Sequence, residues 1–166
     1  MAVALRADTA RARPHLSALR SDASAILRAL GLARCELSIM IVDNAAIAAL
    51  NLAYRNRDRP TDVLSFSQLE EPGVCAPGPA AIADDAATIL GDVVISIDTA
   101  LAQARTQGVT PRERLRTLLI HGILHLIGYD HERSMRDAQR MFAREREIAG
   151  RIAKPRGTRR ASKGRR

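Results

Sequence analysis

Three of the chain's four histidines fall within eleven residues, His121-Gly122-Ile123-Leu124-His125-Leu126-Ile127-Gly128-Tyr129-Asp130-His131. The run before them, Pro111 to Ile120, opens on a proline and carries charge in its early turns. It then presents Leu115, Leu118, Leu119 and Ile120, a pattern that predicts a helix. If that helix continues to Ile127, His121 and His125 stand at i and i+4 on one face, with Cβ atoms roughly 5–6 Å apart. Two imidazole nitrogens at that spacing can both reach one metal ion at about 2.0–2.1 Å. Gly128 is suited to end the helix, because it takes the left-handed conformation without steric cost. The turned chain can then bring His131 back toward the same ion. Three neutral nitrogens with a fourth position open to water or substrate form the donor set of a catalytic rather than a structural zinc. A lone histidine on an apolar helix face is ordinarily a satisfied core residue. The pair, the helix-stopping glycine and the third histidine together are hard to explain by packing. The expectation is one Zn2+ per chain on His121, His125 and His131.

The spacing H-x-x-x-H-x-x-G-x-x-H is also that of the metzincin peptidases, whose general base is a glutamate next to the first histidine. Here that position is Gly122, which cannot accept a proton. A zinc peptidase or related zinc hydrolase therefore stays an alternative that lacks its usual base.

The run HGILHLIGYDH resembles the signature of the YbeY family, bacterial metal-dependent endoribonucleases of ribosomal RNA maturation. Two further stretches support the resemblance: Asn51-Leu52-Ala53-Tyr54-Arg55 leading into Pro60-Thr61-Asp62-Val63-Leu64-Ser65-Phe66, and Leu90-Gly91-Asp92-Val93-Val94-Ile95-Ser96. They stand in family order, and the resemblance spans roughly residues 36–150. Ser67 departs from the pattern, which usually has a proline there; the expectation is that this touches a loop and not the chemistry.

The remaining elements must position these residues. Val3 to Arg6 fits a short first strand, and from Pro14 to Leu30 apolar residues recur at helical spacing, ending at Gly31. His15 lies at the start of that helix, where a surface histidine is the default. Glu36 to Val42 predicts a strand, and Asp43 or Asn44 can cap a helix reaching about Tyr54. A charged loop, Arg55 to Pro60, precedes a strand over about Asp62 to Phe66. Gln68 to Ala87 has no clear periodicity and predicts a mobile loop carrying Cys75. Leu90 to Ile97 predicts a strand; Asp98 or Thr99 can cap a helix through Gln107, ended by Gly108. Ser134 to Ile148 predicts a last helix. Strands and helices are interspersed, which predicts a single α+β (or α/β) domain with helices covering one small mixed sheet. The family's fold, a small sheet surrounded by helices, implies the same.

Charge divides the chain. Residues 151–166 hold eight of its 26 basic residues and no acidic one, so the other 150 carry 18 of each sign. The expectation is a neutral domain over residues 1–150 and a disordered basic tail over 151–166, suited to an RNA-binding arm. No stretch approaches the roughly 20 apolar residues of a membrane span. The start of the chain, broken by Arg6 and Asp8, lacks the apolar centre of a signal peptide. Cys35 and Cys75 fit no metal or redox spacing. Together these predict a cytoplasmic protein.

The resemblance implies a single-strand-specific, metal-dependent endoribonuclease in the maturation of the 3′ end of 16S ribosomal RNA and in ribosome quality control. It implies ribosomal RNA, the small ribosomal subunit and the Era GTPase as partners. It also singles out Arg55, matching a family arginine proposed to act in RNA cleavage; a planar guanidinium can grip a phosphate with two hydrogen bonds. Asp130 and Glu132 flank the third histidine without declaring a general base, and a ribose 2′-hydroxyl can replace water as nucleophile. A further alternative, of a different class, is a non-catalytic ribosome assembly factor whose zinc is structural. The sequence does not fix the oligomeric state.

Overall fold

The computed structural model describes residues 2–69 and 88–153. Four strands, β1 (Ala2–Ala7), β2 (Glu36–Val42), β3 (Val63–Ser67) and β4 (Ile89–Ser96), form one sheet in the order β1-β2-β4-β3. β1, β2 and β4 run parallel and β3 pairs antiparallel with β4, so the sheet is mixed and the fold is α+β. Five α-helices accompany it among the described residues: α1 (Leu16–Ala29), α2 (Asn44–Arg55), α3 (Ile97–Gln107), α4 (Pro111–Leu126) and α5 (Met135–Ala153).

Alternation along the strands sorts side chains to two faces. Leu37, Ile39, Ile41, Val93 and Ile95 join the larger core with residues of α1, α4 and α5, including Ile26, Leu119, Ile123 and Met141. Their neighbours Val42, Leu64 and Val94 enclose Ile47 of α2 in a smaller core. The helix bearing His121 and His125 thus lies on the larger core, and α2, which ends at Arg55, lies on the smaller one. Burial of α4 is nearly complete along one face, from Leu115 through Leu126.

The predicted elements are present with shifted boundaries. The first helix is preceded by a 3-10 turn over Ala10–His15, so α1 begins at Leu16 rather than Pro14. The cap of α3 is Ser96, whose hydroxyl accepts from the Thr99 amide at 3.2 Å, rather than Asp98 or Thr99. Asp98 is engaged elsewhere, accepting from the Asn44 amide at 3.1 Å. α5 runs to Ala153, three residues past the expected end of the domain. Of the loop expected over Gln68–Ala87 only Gln68 and Leu69 are among the described residues, and of the tail expected over 151–166 only the helical Arg151–Ala153; Cys75 lies outside them. Cys35 is a buried thiol. Among the described residues no helix is long and apolar enough to cross a membrane.

Candidate metal centre

The helix that carries the first two histidines is fixed at both ends. Thr110 caps it by accepting from the Glu113 amide, while the Glu113 carboxylate accepts from the Thr110 amide at 2.8 Å, a reciprocal capping box just before Pro111. Hydrogen bonding to Thr110 holds the Glu113 carboxyl below its usual range. The last residues leave carbonyls without helical partners. Ser67 supplies one, its hydroxyl donating to the Leu126 carbonyl at 2.9 Å, and Ser65 donates to the Gly122 carbonyl at 3.1 Å. Ser67 is therefore the end of β3 and a tie to the histidine helix, not a loop position remote from the site. Gly128 takes φ 96°, the left-handed turn expected of it, and the chain reverses.

Gly122 has a structural reason. A Cβ there would stand 2.7 Å from Val93 Cγ1 and 3.2 Å from Ser65 Oγ, so the glycine lets the helix lie close against β3 and β4. This position faces the sheet, not the histidines. A glutamate has no room at it, and the base of the peptidase reading has no place to stand.

The three histidines converge. Their ring centroids are 4.7, 5.1 and 5.1 Å apart, and one ligand atom from each lies within 4.8 Å of the others. His121 Nε2 and His125 Nε2 are 3.1 Å apart, close to the roughly 3.3 Å that two nitrogens sharing a tetrahedral ion at about 2.05 Å require. His131 Nδ1 is buried without a hydrogen-bond partner among the described residues, an arrangement that calls for a missing partner. Burial, and then the neighbouring His121 and His131, lower the His125 pKa to about 4, so its ring stays neutral and keeps a lone pair for a metal. These residues fit an ion: the cluster can hold one, and its chemistry favours a borderline metal such as zinc over a hard one.

Two carboxylates flank the cluster in different roles. Asp130 Oδ1 accepts from the Glu132 amide at 2.8 Å and Oδ2 from Arg133 Nε at 3.0 Å, so it shapes the turn that presents His131. The amide bond, followed by Arg133, keeps its pKa below the usual value. Glu145 of α5 lies 2.7 Å from His121 Nδ1. An ionised carboxylate only accepts, so His121 carries its proton on Nδ1 and turns the Nε2 lone pair toward His125. Sequence reasoning missed Glu145. The available signal was an acidic residue in the apolar stripe Met141, Glu145, Ile148, spaced i, i+4, i+7.

Arg55 meets the histidines in one cavity of about 470 Å³, whose walls also include Arg57, Thr61, Asp62, Ser65 and Glu132. The loop bearing the arginines is built rather than slack. Asn56 adopts φ 54°, ψ 38°, the Asn56 and Arg57 amides close the end of α2 on Leu52 and Asn51, and the buried Asn51 side chain donates to the Arg59 carbonyl at 2.8 Å. The sequence marks Arg57 only as part of a charged loop; the turn places it on the wall of the same cavity as Arg55. His15 lies outside the cluster.

Comparison with known proteins agrees with this geometry. A family model described as Endoribonuclease YbeY matches residues 8–153. A protein named Endoribonuclease YbeY from Anaeromyxobacter sp. (strain Fw109-5) is 45% identical over 149 residues, 90% of this chain and 71% of its own. Another of that name from Geobacter metallireducens is 47% identical over 132 residues, 78% of this chain and 81% of its own. The solution structure of a Thermotoga maritima protein superimposes with TM-score 0.61 at 25% identity, covering 90% of this chain and 88% of that one.

Proposed function

The chain belongs to the YbeY endoribonuclease family, and from that membership we propose a metal-dependent, single-strand-specific endoribonuclease acting on 16S ribosomal RNA in 3′-end maturation and ribosome quality control. The observation that carries this reading is one cavity joining three convergent histidines to Arg55 and Arg57. Among the described residues three histidines face an open cavity, whereas a structural zinc site is closed by four protein ligands. That difference favours an enzyme over an assembly factor with structural zinc.

In this reading His121, His125 and His131 hold one Zn2+. When bound, the ion supplies a Lewis acid that polarises a phosphoryl oxygen or acidifies an attacking water. The chain's own groups do the rest. Arg55 holds the scissile phosphate and offsets charge as it develops on the phosphoryl oxygens. Arg57, two residues on in the turn that closes α2, grips an adjacent phosphate. Glu145 keeps His121 in one tautomer. Asp130 is committed to its turn, which leaves Glu132 on the cavity wall as the better-placed carboxylate to take a proton from the nucleophile. Ribosomal RNA within the small subunit is the proposed substrate, with the Era GTPase a proposed partner in a cytoplasmic setting.

The test is cleavage of small subunits carrying 16S precursor by wild type and by Arg55→Ala. Wild-type cutting near the 3′ end, with a loss of about 100-fold or more in the variant, supports the assignment. Equal cutting by both overturns the role of Arg55, and no cutting by wild type overturns the nuclease.

A further inference from the structure

A second cavity of about 210 Å³ lies beside the first, sharing Asp62, Val63 and His121 with it as walls. Its character is different. The first cavity carries Arg55 and Arg57 beside Asp62, Asp130 and Glu132, and among the described residues neither arginine is in an ion pair. The second carries one guanidinium, Arg114, already committed to Gln103 at 2.9 Å and Asp62 at 3.3 Å, against the carboxylates of Asp62 and Glu145. Its remaining surface includes Leu118 and the ring of Phe142. Among the described residues the first cavity thus offers two guanidiniums outside any ion pair and the second offers none, so a phosphate is better served in the first.

Phe142 is unusual for this chain, which has only two phenylalanines and two tyrosines. It is 46% exposed on α5, while its neighbour Met141 is wholly buried. Its ring centroid lies 6.2 Å from that of His131, tilted by 34°, so it borders the candidate metal centre directly. A flat apolar ring, open to solvent and next to a phosphate-binding cleft, suits the face of a base.

Resting on the nuclease reading above, we infer that the second cavity is a nucleobase subsite, with Phe142 as the stacking platform for a base flanking the scissile phosphate. Single-stranded RNA offers unstacked bases that can leave the backbone and lie on an aromatic ring. A base in a duplex is already stacked on both faces and cannot enter. The subsite therefore gives a physical source for single-strand selectivity on this side of the metal.

The chain contains no tryptophan, so Phe142→Trp introduces a single reporter. The experiment titrates zinc-loaded wild type, Phe142→Ala and Phe142→Trp with a labelled single-stranded RNA and with the same sequence as a duplex, recording zinc content and cleavage alongside. Expected are single-strand binding weaker by roughly 5- to 150-fold in Phe142→Ala, unchanged zinc and duplex binding, and quenching of the Phe142→Trp emission by single strands alone. A wild type that cleaves RNA, with Phe142→Ala binding within twofold of it and Phe142→Trp emission unmoved, overturns the subsite and leaves the nuclease standing. Loss of zinc in Phe142→Ala together with an unmoved Phe142→Trp also overturns it, assigning the effect to His131. A wild type that neither binds nor cleaves RNA removes both.

Discussion

His121 Nδ1 and Glu145 Oε1 meet at 2.7 Å across 24 residues of sequence, joining the first histidine of the cluster to the last described helix. That contact fixes which nitrogen of His121 is available to an ion. Outer carboxylates of this kind typically change metal affinity by about 10- to 100-fold when removed. Glu145→Ala is expected to weaken zinc binding by that factor with the fold retained, and Glu145→Gln, whose amide oxygen can still accept, by less. Competition with a chromophoric chelator measures both, and an unchanged affinity in Glu145→Ala removes the orienting role.

Protonation provides a second test. His125 titrates at about 4 in the folded chain against an ordinary 6.5, chiefly through burial and then through His121 and His131. Its folded pKa is depressed, so between about 6.5 and 4 the unfolded chain binds a proton that the folded chain refuses. Stability of the metal-stripped protein from this group is thus highest above 6.5 and falls as pH drops through that window. An NMR titration of the stripped protein should place the His125 ring near 4, and a midpoint at 6.5 or above contradicts the burial argument.

Arg57 shares the cavity with Arg55, but the two have separate duties in this account. Arg57→Ala is expected to raise KM for single-stranded RNA by about tenfold with a smaller change in kcat. It should also flatten the dependence of log affinity on log salt by about 0.7, one phosphate contact on a single strand. Arg55→Ala should act mainly on kcat. Identical salt slopes for wild type and Arg57→Ala place Arg57 outside the phosphate path.

Gly122 is held by close packing. With Val93 Cγ1 2.7 Å from an added Cβ, Gly122→Ala is expected to destabilise the fold by about 1–3 kcal/mol, the range for overpacking. Val93→Ala in the same chain should recover part of that loss. Denaturant unfolding of the two single variants and the double variant gives the coupling, and strict additivity contradicts a direct contact. Gly122→Glu should gain no peptidase activity.

The parts of this site legible in the sequence are those written in local spacing. The i, i+4 histidines, the proline that opens α4 and the left-handed Gly128 each obey a rule confined to one or two turns of chain, and the structure brings His131 to them as the turn implied. Strand positions followed from short aliphatic runs such as Glu36–Val42. The order β1-β2-β4-β3 did not, because β4 enters between β2 and β3 from a distant stretch of chain. Caps misled where two polar residues compete: Ser96 caps α3 because Asp98 is drawn to the Asn44 amide. Glu145 and Arg57 were hidden for another reason. In a charged loop nothing local separates a side chain aimed into a cavity from one aimed at water, and on a charged helix Glu145 differs from its acidic neighbours only in falling on the stripe of Met141 and Ile148.

In the proposed function the chain needs a histidine-bound metal to cut RNA. That requirement is tested most directly by elemental analysis of gently purified wild type and His131→Ala, each also assayed on small-subunit RNA. Expected are about one zinc per wild-type chain, with metal and cleavage both lost in a variant that keeps its circular dichroism spectrum. Wild type without metal, or a metal-free His131→Ala that cuts at the wild-type rate, would contradict it.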